Sequence, residues 1–298
     1  MRTFRVRKRA GEKSSSGTDL IFGFISVFLL LIVMYPLYFV LIASISNPDL
    51  TYAGEVYFLP KEVTLEGYQI ILADPRVLVG YYNTIIYTLT GTLLSVTLTL
   101  TSGFALSIRY FRGKKVINFF IIFTMIFSGG LIPTYLLMKD LNAINTIWGV
   151  ILPGAVGVWN LIVTRTFFEE NIPIELLESA QLDGCGYFRF FIHIVLPTSG
   201  VIIAVISLFY AVNQWNGFFN ALIYLNDQNK FPLQLFLREI LLQQEMMNVD
   251  PDLANSVRHR ANLVKYAMIV VASAPVLAAY PFVQRFFIKG VMIGSVKG

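Results

Sequence analysis

The sequence predicts an all-α integral membrane protein with six transmembrane helices, and three observations carry that reading. Charged residues make up 14% of the 298 and hydrophobic ones 56%, where a soluble domain carries about 25% charged. The mean hydropathy is +0.66. Several apolar stretches reach the roughly 20 residues that a helix rising 1.5 Å per residue needs to cross a bilayer.

The spans are expected at about Leu20–Ser46, Val79–Ile108, Val116–Met138, Thr146–Phe168, Leu196–Val212 and Leu263–Ile288. Residues 1–19 form a basic tail with Arg2, Arg5, Arg7, Lys8, Arg9 and Lys13, and residues 20–298 form the six-span domain. The first apolar run is longer than the roughly 7–15 residues of a secretory signal and lacks a small-residue cleavage site, so it reads as a retained span. Pro36, Pro133, Pro153, Pro275 and Pro281 fall within spans. They are tolerated where neighbours satisfy the freed carbonyls, often with a kink.

Orientation follows from Lys and Arg rather than net charge. Placing the amino terminus inside puts the basic tail, Arg109, Arg112, Lys114, Lys115, Arg165, Arg189, Arg285, Lys289 and Lys297 on the cytoplasmic side. Both termini are then cytoplasmic. Two long segments lie outside, Asn47–Leu78 and Asn213–Asn262. The second contains a helix-like stretch from Pro232 to Met247, and its aromatic content predicts a packed outer lobe or a re-entrant segment.

No catalytic chemistry is legible. Cys185 is the only cysteine, and His193 and His259 are the only imidazoles, so neither an intramolecular disulfide nor a Cys-rich metal site can form. The short signatures of zinc proteases, P-loop nucleotide sites and serine hydrolases are absent. No cofactor is expected in this chain, and no nucleic-acid partner. Buried acids forming an ion relay are not visible either, which argues against a proton- or sodium-coupled carrier. That carrier, or a channel, remains the rival reading, with a membrane enzyme using Asp183 or the Glu169–Glu170 pair behind it.

The connection between the fourth and fifth spans, 169–197, is more than a turn. Pro173 suits a first helical turn, Glu175 and Glu178 suit the positive end of the dipole, and Gly184 can take the left-handed cap. Leu176, Leu177 and Ala180 are expected to share one apolar face, with Glu175, Glu178 and Gln181 elsewhere. A helix this short must pack on something. An interfacial helix lying on the bilayer is the bland alternative. Aromatic residues from Tyr187 to Phe191 then lead into the fifth span at headgroup level.

Glu178-Ser179-Ala180-x-x-Asp183-Gly184 followed by Phe191-x-x-Ile194-x-Leu196-Pro197 resembles the EAA signature of bacterial ABC importer permeases, with serine where the second consensus residue is normally alanine and Cys185 where the family often has alanine. The carboxyl end from Tyr280 to Gly298 looks like that of the MalG-like carbohydrate-uptake branch. Ser128–Tyr135, Pro153–Asn160 and Trp215–Leu225 are similar to the lipoprotein-type oligosaccharide permeases of Gram-positive bacteria.

The resemblance implies a type I importer permease with a cytoplasmic coupling helix, in the plasma membrane of a bacterium, Gram-positive by the same likeness. It implies a heterodimer with a second permease, two cytoplasmic ATPases that bind ATP and Mg, an extracellular solute-binding protein, an oligosaccharide substrate and surrounding lipid. ATPase coupling would fall to Leu176, Leu177, Glu178, Ser179, Ala180, Asp183 and Gly184; Asp183 is equally a helix-end turn residue. Trp159, Asn160, Trp215, Asn216 and Asn220 have the right chemistry for a sugar path, although tryptophans there are commonly interface anchors. Gly294, Val296, Lys297 and Gly298 match an ATPase-facing tail.

Overall fold

The computed structural model describes residues 16–247 and 263–281, and every regular element among them is helical. Helix α1 (Ser16–Ser44) exposes apolar side chains around almost its whole circumference, as a lipid-facing span does. Its outer end is fastened by hydroxyls: Tyr35 donates to the Tyr57 carbonyl at 3.3 Å and Tyr38 to that of Phe58. Short helices α2 (Pro48–Tyr52) and α3 (Glu66–Ala73) fill the first outer segment.

Helix α4 (Pro75–Ser107) is the hub. Asp74 caps it by accepting from the Arg76 amide at 2.9 Å, and the Arg76 guanidinium, 2.7 Å from the same carboxylate, holds the Asp74 carboxyl below its usual range. At 33 residues the helix is about 50 Å long, enough to cross and protrude.

The expected third span is not one helix. Helix α5 (Lys114–Ile126) stops, and α6 (Leu131–Asp140) leaves at an angle of 119°. Helix α5 ends where Phe127 turns extended, and Gly130, at φ +85° in the left-handed region that glycine takes without strain, redirects the chain into α6. The fourth span is also broken. Helix α7 (Ile147–Ile151) runs into a 3-10 turn at Leu152–Gly154 containing Pro153, and α8 (Val158–Asn171) continues at 55°.

After α9 (Ile174–Leu182) come α10 (Tyr187–Phe190), a π-helical turn at Phe191–Val195 and α11 (Leu196–Thr198). Helix α12 (Gly200–Asn216) then departs at 85°. Leu196–Thr198 therefore precedes the elbow, and the helix beyond it runs from Gly200 to Asn216, past the expected Val212. The second outer segment holds α13 (Phe219–Tyr224) and α14 (Leu233–Met247), the latter where the sequence predicts it. Helix α15 (Leu263–Pro281) is the described part of the sixth span. Three straight helices, α1, α4 and α15, are long and apolar enough to cross a membrane, and with each bent pair taken as one span the described residues give up to six crossings.

Close packing on α4 depends on small residues, as in membrane helix pairs generally. A Cβ at Gly103 would meet Thr164 Cγ2 of α8 at 2.9 Å, and one at Gly91 would meet the Gln214 amide of α12 at 2.8 Å. At one end Leu100, Phe104, Phe168, Phe190, Phe191 and Ile206 form an aromatic-rich core. At the other, Ile71, Val77, Leu233, Ala267 and Met268 join α3, α4, α14 and α15. The lobe around the second long segment is packed: Tyr87 donates to the Lys230 carbonyl at 2.8 Å, and Asn145 Oδ1 accepts the Asn226 and Asp227 amides at 3.2 Å each.

The break in the fourth span is held by a buried hydroxyl. Tyr210 of α12 accepts the Gly157 N–H at 3.0 Å and shares a 2.6 Å hydrogen bond with Thr99 of α4. Tyr210→Phe leaves a buried hydroxyl and an amide without a partner, which costs about 1–3 kcal/mol. The expected outcome is a lower unfolding temperature in detergent by scanning fluorimetry; an unchanged one would release Tyr210 from this role.

Candidate functional site

Helix α9 spans nine residues, about 13 Å, and is held at both ends and along one side. Pro173 is its N-cap, with ψ 137°, so the helix begins at Ile174 and the proline stands just before the first turn rather than in it. Ile172 and Pro173 are both extended, making a two-residue link from α8. Glu175 lies in the first turn, where the dipole favours an acid.

The carboxyl end is a Schellman motif. Gly184 has φ +78° and donates its N–H to the Gln181 carbonyl at 3.0 Å, while the Cys185 N–H reaches the Ala180 carbonyl at 2.8 Å. These bonds satisfy two of the last carbonyls of the helix. Among the described residues nothing lies within 4 Å of a Cβ placed on Gly184, and the glycine serves the backbone conformation. Asp183 is the residue at the helix end, with its N–H on the Ser179 carbonyl at 3.2 Å.

Leu176, Leu177 and Ala180 do not present one common face. Leu177 is buried in the core with Phe168 and Phe190, and Ala180 and Cys185 pack against that core, whereas Leu176 is exposed. The reason is the angle of entry: the extended Ile172-Pro173 link turns Leu177, not Leu176, toward the transmembrane body. Glu178, Ser179, Leu182, Asp183 and Gly184 are exposed with Leu176. Leu182 is 90% exposed and was not picked out from the sequence; a leucine immediately before an Asp-Gly stop was the available signal. Ser179 Oγ turns back to the Glu175 carbonyl at 2.8 Å, and Glu178 Oε1 lies 3.4 Å from the Tyr110 hydroxyl.

Behind α9 lies an open cleft of about 470 Å³, bounded by Phe104, Ser107, Glu169, Pro173 and Leu177. Its polar wall is an ion cluster. Lys114 Nζ stands 2.6 Å from Glu169 Oε1, and Arg165 reaches both Glu169 oxygens at 3.1 and 3.3 Å.

The five candidate sugar-path residues are not gathered in one place. Asn216 and Asn220 line a cleft of about 290 Å³ with Asn213, Gln214, Phe218 and Phe219. Asn220 Nδ2 donates to the Val150 carbonyl at 3.0 Å and Asn216 Nδ2 to that of Val212 at 2.9 Å, which leaves each amide oxygen available. Trp159, 63% exposed, and Asn160 lie at the start of α8 and do not border that cleft. Trp215 is buried, with its indole N–H on the Ala272 carbonyl at 3.1 Å and its ring beside Tyr81, and so braces α12 against α4 and α15. Gly294, Val296, Lys297 and Gly298 lie outside the described residues.

Residues 70–293 match the family model described as binding-protein-dependent transport system inner membrane component. The chain belongs to this family. Protein LplC of Bacillus subtilis (strain 168) is 38% identical over 267 residues, 90% of each chain. The polygalacturonan/rhamnogalacturonan transport system permease protein YtcP of the same strain is 39% identical over 280 residues, 94% of this chain and 97% of the relative. Among solved structures, a chain from the crystal structure of a bacterial ABC transporter involved in the import of the acidic polysaccharide alginate superposes with TM-score 0.79 at 30% identity, covering 93% of this permease and all of that chain. The permease is thus a membrane subunit of an ABC transport system.

Gly184→Val places a β-branched side chain at φ +78° and costs about 1–2 kcal/mol. The six spans are expected to stay folded while the end of α9 frays, read as faster amide exchange at residues 180–186; unchanged exchange would show that the cap does not hold the helix.

Proposed function

We propose that this permease forms half of the translocation pathway of an ATP-driven oligosaccharide importer. A second homologous permease completes the pathway. Two ATPase subunits carrying ATP and Mg dock on the coupling-helix side, and a solute-binding protein delivers the sugar to the opposite side. The permease itself catalyses nothing. It sits in a bacterial plasma membrane, Gram-positive by its relatives, with both termini cytoplasmic, as the basic end at Arg109, Arg112, Lys114 and Lys115 favours.

One observation carries the proposal: α9 is braced on one side by Leu177 and Ala180, yet leaves Leu176, Glu178, Ser179 and Leu182 uncovered. An apolar centre with a charged rim is what a protein partner buries. In that contact Glu178 pairs with an ATPase arginine through a charge-assisted bond, and Asp183 and Gly184 face the same partner. Closure of the ATPases on ATP moves α9, and the spans attached to it alternate between inward- and outward-open forms. Gly294, Val296, Lys297 and Gly298 reach toward the ATPase interface.

Oligosaccharides containing uronic acids are the first substrates to test, since the names of the B. subtilis permease and the alginate importer both specify acidic glycans. The free amide oxygens of Asn216 and Asn220 suit sugar hydroxyls, with Trp159 and Asn160 as further contacts on the path. Trp215 acts through the placement of α12.

Uptake of labelled galacturonate and rhamnogalacturonan oligosaccharides by cells carrying Glu178→Arg tests the coupling. Reversing a charge-assisted contact is expected to lower uptake by about tenfold or more while the complex still assembles. Ser179→Ala restores the family's residue and is expected to be silent. Wild-type uptake by Glu178→Arg would remove Glu178 from the mechanism.

A further inference from the structure

Helix α5 has no buried residue, unlike α4, α8 and α12, which interlock. Its aromatic side chains stack on one another, Phe123 on Phe127 at 4.6 Å and Phe119 near Phe123 at 6.3 Å, rather than on the helix bundle. Within this chain it lies against α8, with Asn118 and Ile121 half-buried, and the polar part of that contact sits at its first residue. Lys114 Nζ lies 2.6 Å from Glu169 Oε1 and 3.4 Å from the Ser107 carbonyl. Glu169 is in turn gripped by Arg165 one turn earlier on α8.

All three charged side chains are less than a third exposed, so water screens the cluster less than a surface pair. Its location matters more than its strength. Glu169 is in the last turn of α8, and only Ile172 and Pro173, both extended, separate that helix from α9. The connection that carries Lys114 also brings the Tyr110 hydroxyl to 3.4 Å from Glu178. Lys114 therefore ties α5 to the stalk of the coupling helix at its base, beside an open cleft of about 470 Å³ that leaves room for relative movement.

We propose that the Lys114–Glu169–Arg165 cluster is a clasp that makes α5, and the bent α5–α6 span above it, follow the coupling helix during the transport cycle. Lys114 and Glu169 are positioning residues: neither is placed on the sugar path or on the exposed face of α9. Without the clasp, α5 keeps only a shallow contact with α8 and its backbone links at Ile108–Gly113 and Phe127–Gly130, and movement of α8 and α9 no longer fixes its position. This inference rests on α9 being the coupling helix.

The test is a distance measurement in the whole complex, purified with its native partners and placed in lipid nanodiscs. In a Cys185→Ser background, nitroxide labels at Phe120→Cys on α5 and Asn171→Cys at the end of α8, both exposed positions, are read by double electron–electron resonance without nucleotide and after trapping with ATP and vanadate. The clasp predicts one narrow distance that is the same in both states. Lys114→Ala is expected to broaden the distribution and to let the distance shift on trapping. Lys114→Arg, which keeps the charge, and the exchanged pair Lys114→Glu with Glu169→Lys are expected to restore the narrow, unshifted distance. Lys114→Ala behaving as the parent overturns the clasp, and so does broadening that neither charge-restoring variant reverses. A Glu178→Arg complex with normal uptake would instead overturn the docking reading, leaving the distances unaffected.

Discussion

Hydrocarbon offers no hydrogen bonds, so a backbone N–H or C=O exposed by a break in a spanning helix costs several kcal/mol unless the protein supplies a partner. Three of the up to six crossings here are bent pairs, and in the fourth span side chains from neighbouring helices meet this demand. At the break before α8 the Tyr210 hydroxyl takes the Gly157 N–H and is itself fixed by Thr99. Asn220 reaches across to the Val150 carbonyl in α7. Each such bond joins different helices, so repairing the backbone also sets their relative positions. Helix α8 is directed by this arrangement toward the end of the molecule where α9 sits.

The coupling end is built to be stiff. Phe104 of α4 lies 6.4 Å from Phe168 of α8 and 5.1 Å from Phe191, with Phe190 at 6.2 Å, and Leu177 closes the same core. The Schellman bonds stop α9 at a defined residue. Gly103 lets α4 approach α8 to a distance at which any larger residue would overlap Thr164. A helix too short to stand alone is thereby packed through Leu177 into a core shared with α4, α8 and α12.

The positions of the spans, the short helix between the fourth and fifth, its glycine stop and the helix at Leu233–Met247 were legible in the sequence, because hydropathy, dipole preference and left-handed glycine are local signals. The break at Phe127–Gly130 was not. Hydropathy runs on through Val116–Met138, and a transfer energy says nothing of the φ at Gly130. The departure of Leu176 from the apolar face expected to hold Leu176, Leu177 and Ala180 followed from the two extended residues at Ile172 and Pro173, whose angle no periodicity reports. Lys114 and Glu169 are 55 positions apart, so Lys114 read as an orientation-setting charge and Glu169 as part of the Glu169–Glu170 pair. Trp215 had the chemistry of a sugar platform, but its indole N–H is spent on Ala272, a contact between helices more than fifty residues apart in the chain.

The most direct test of the coupling account is affinity purification of the tagged permease from native membranes in mild detergent, followed by ATP hydrolysis with and without binding protein loaded with galacturonate oligosaccharide. The account predicts that a second permease and an ATPase co-purify and that loaded binding protein stimulates hydrolysis. Recovery of this chain alone from a detergent that preserves a known importer complex would contradict it.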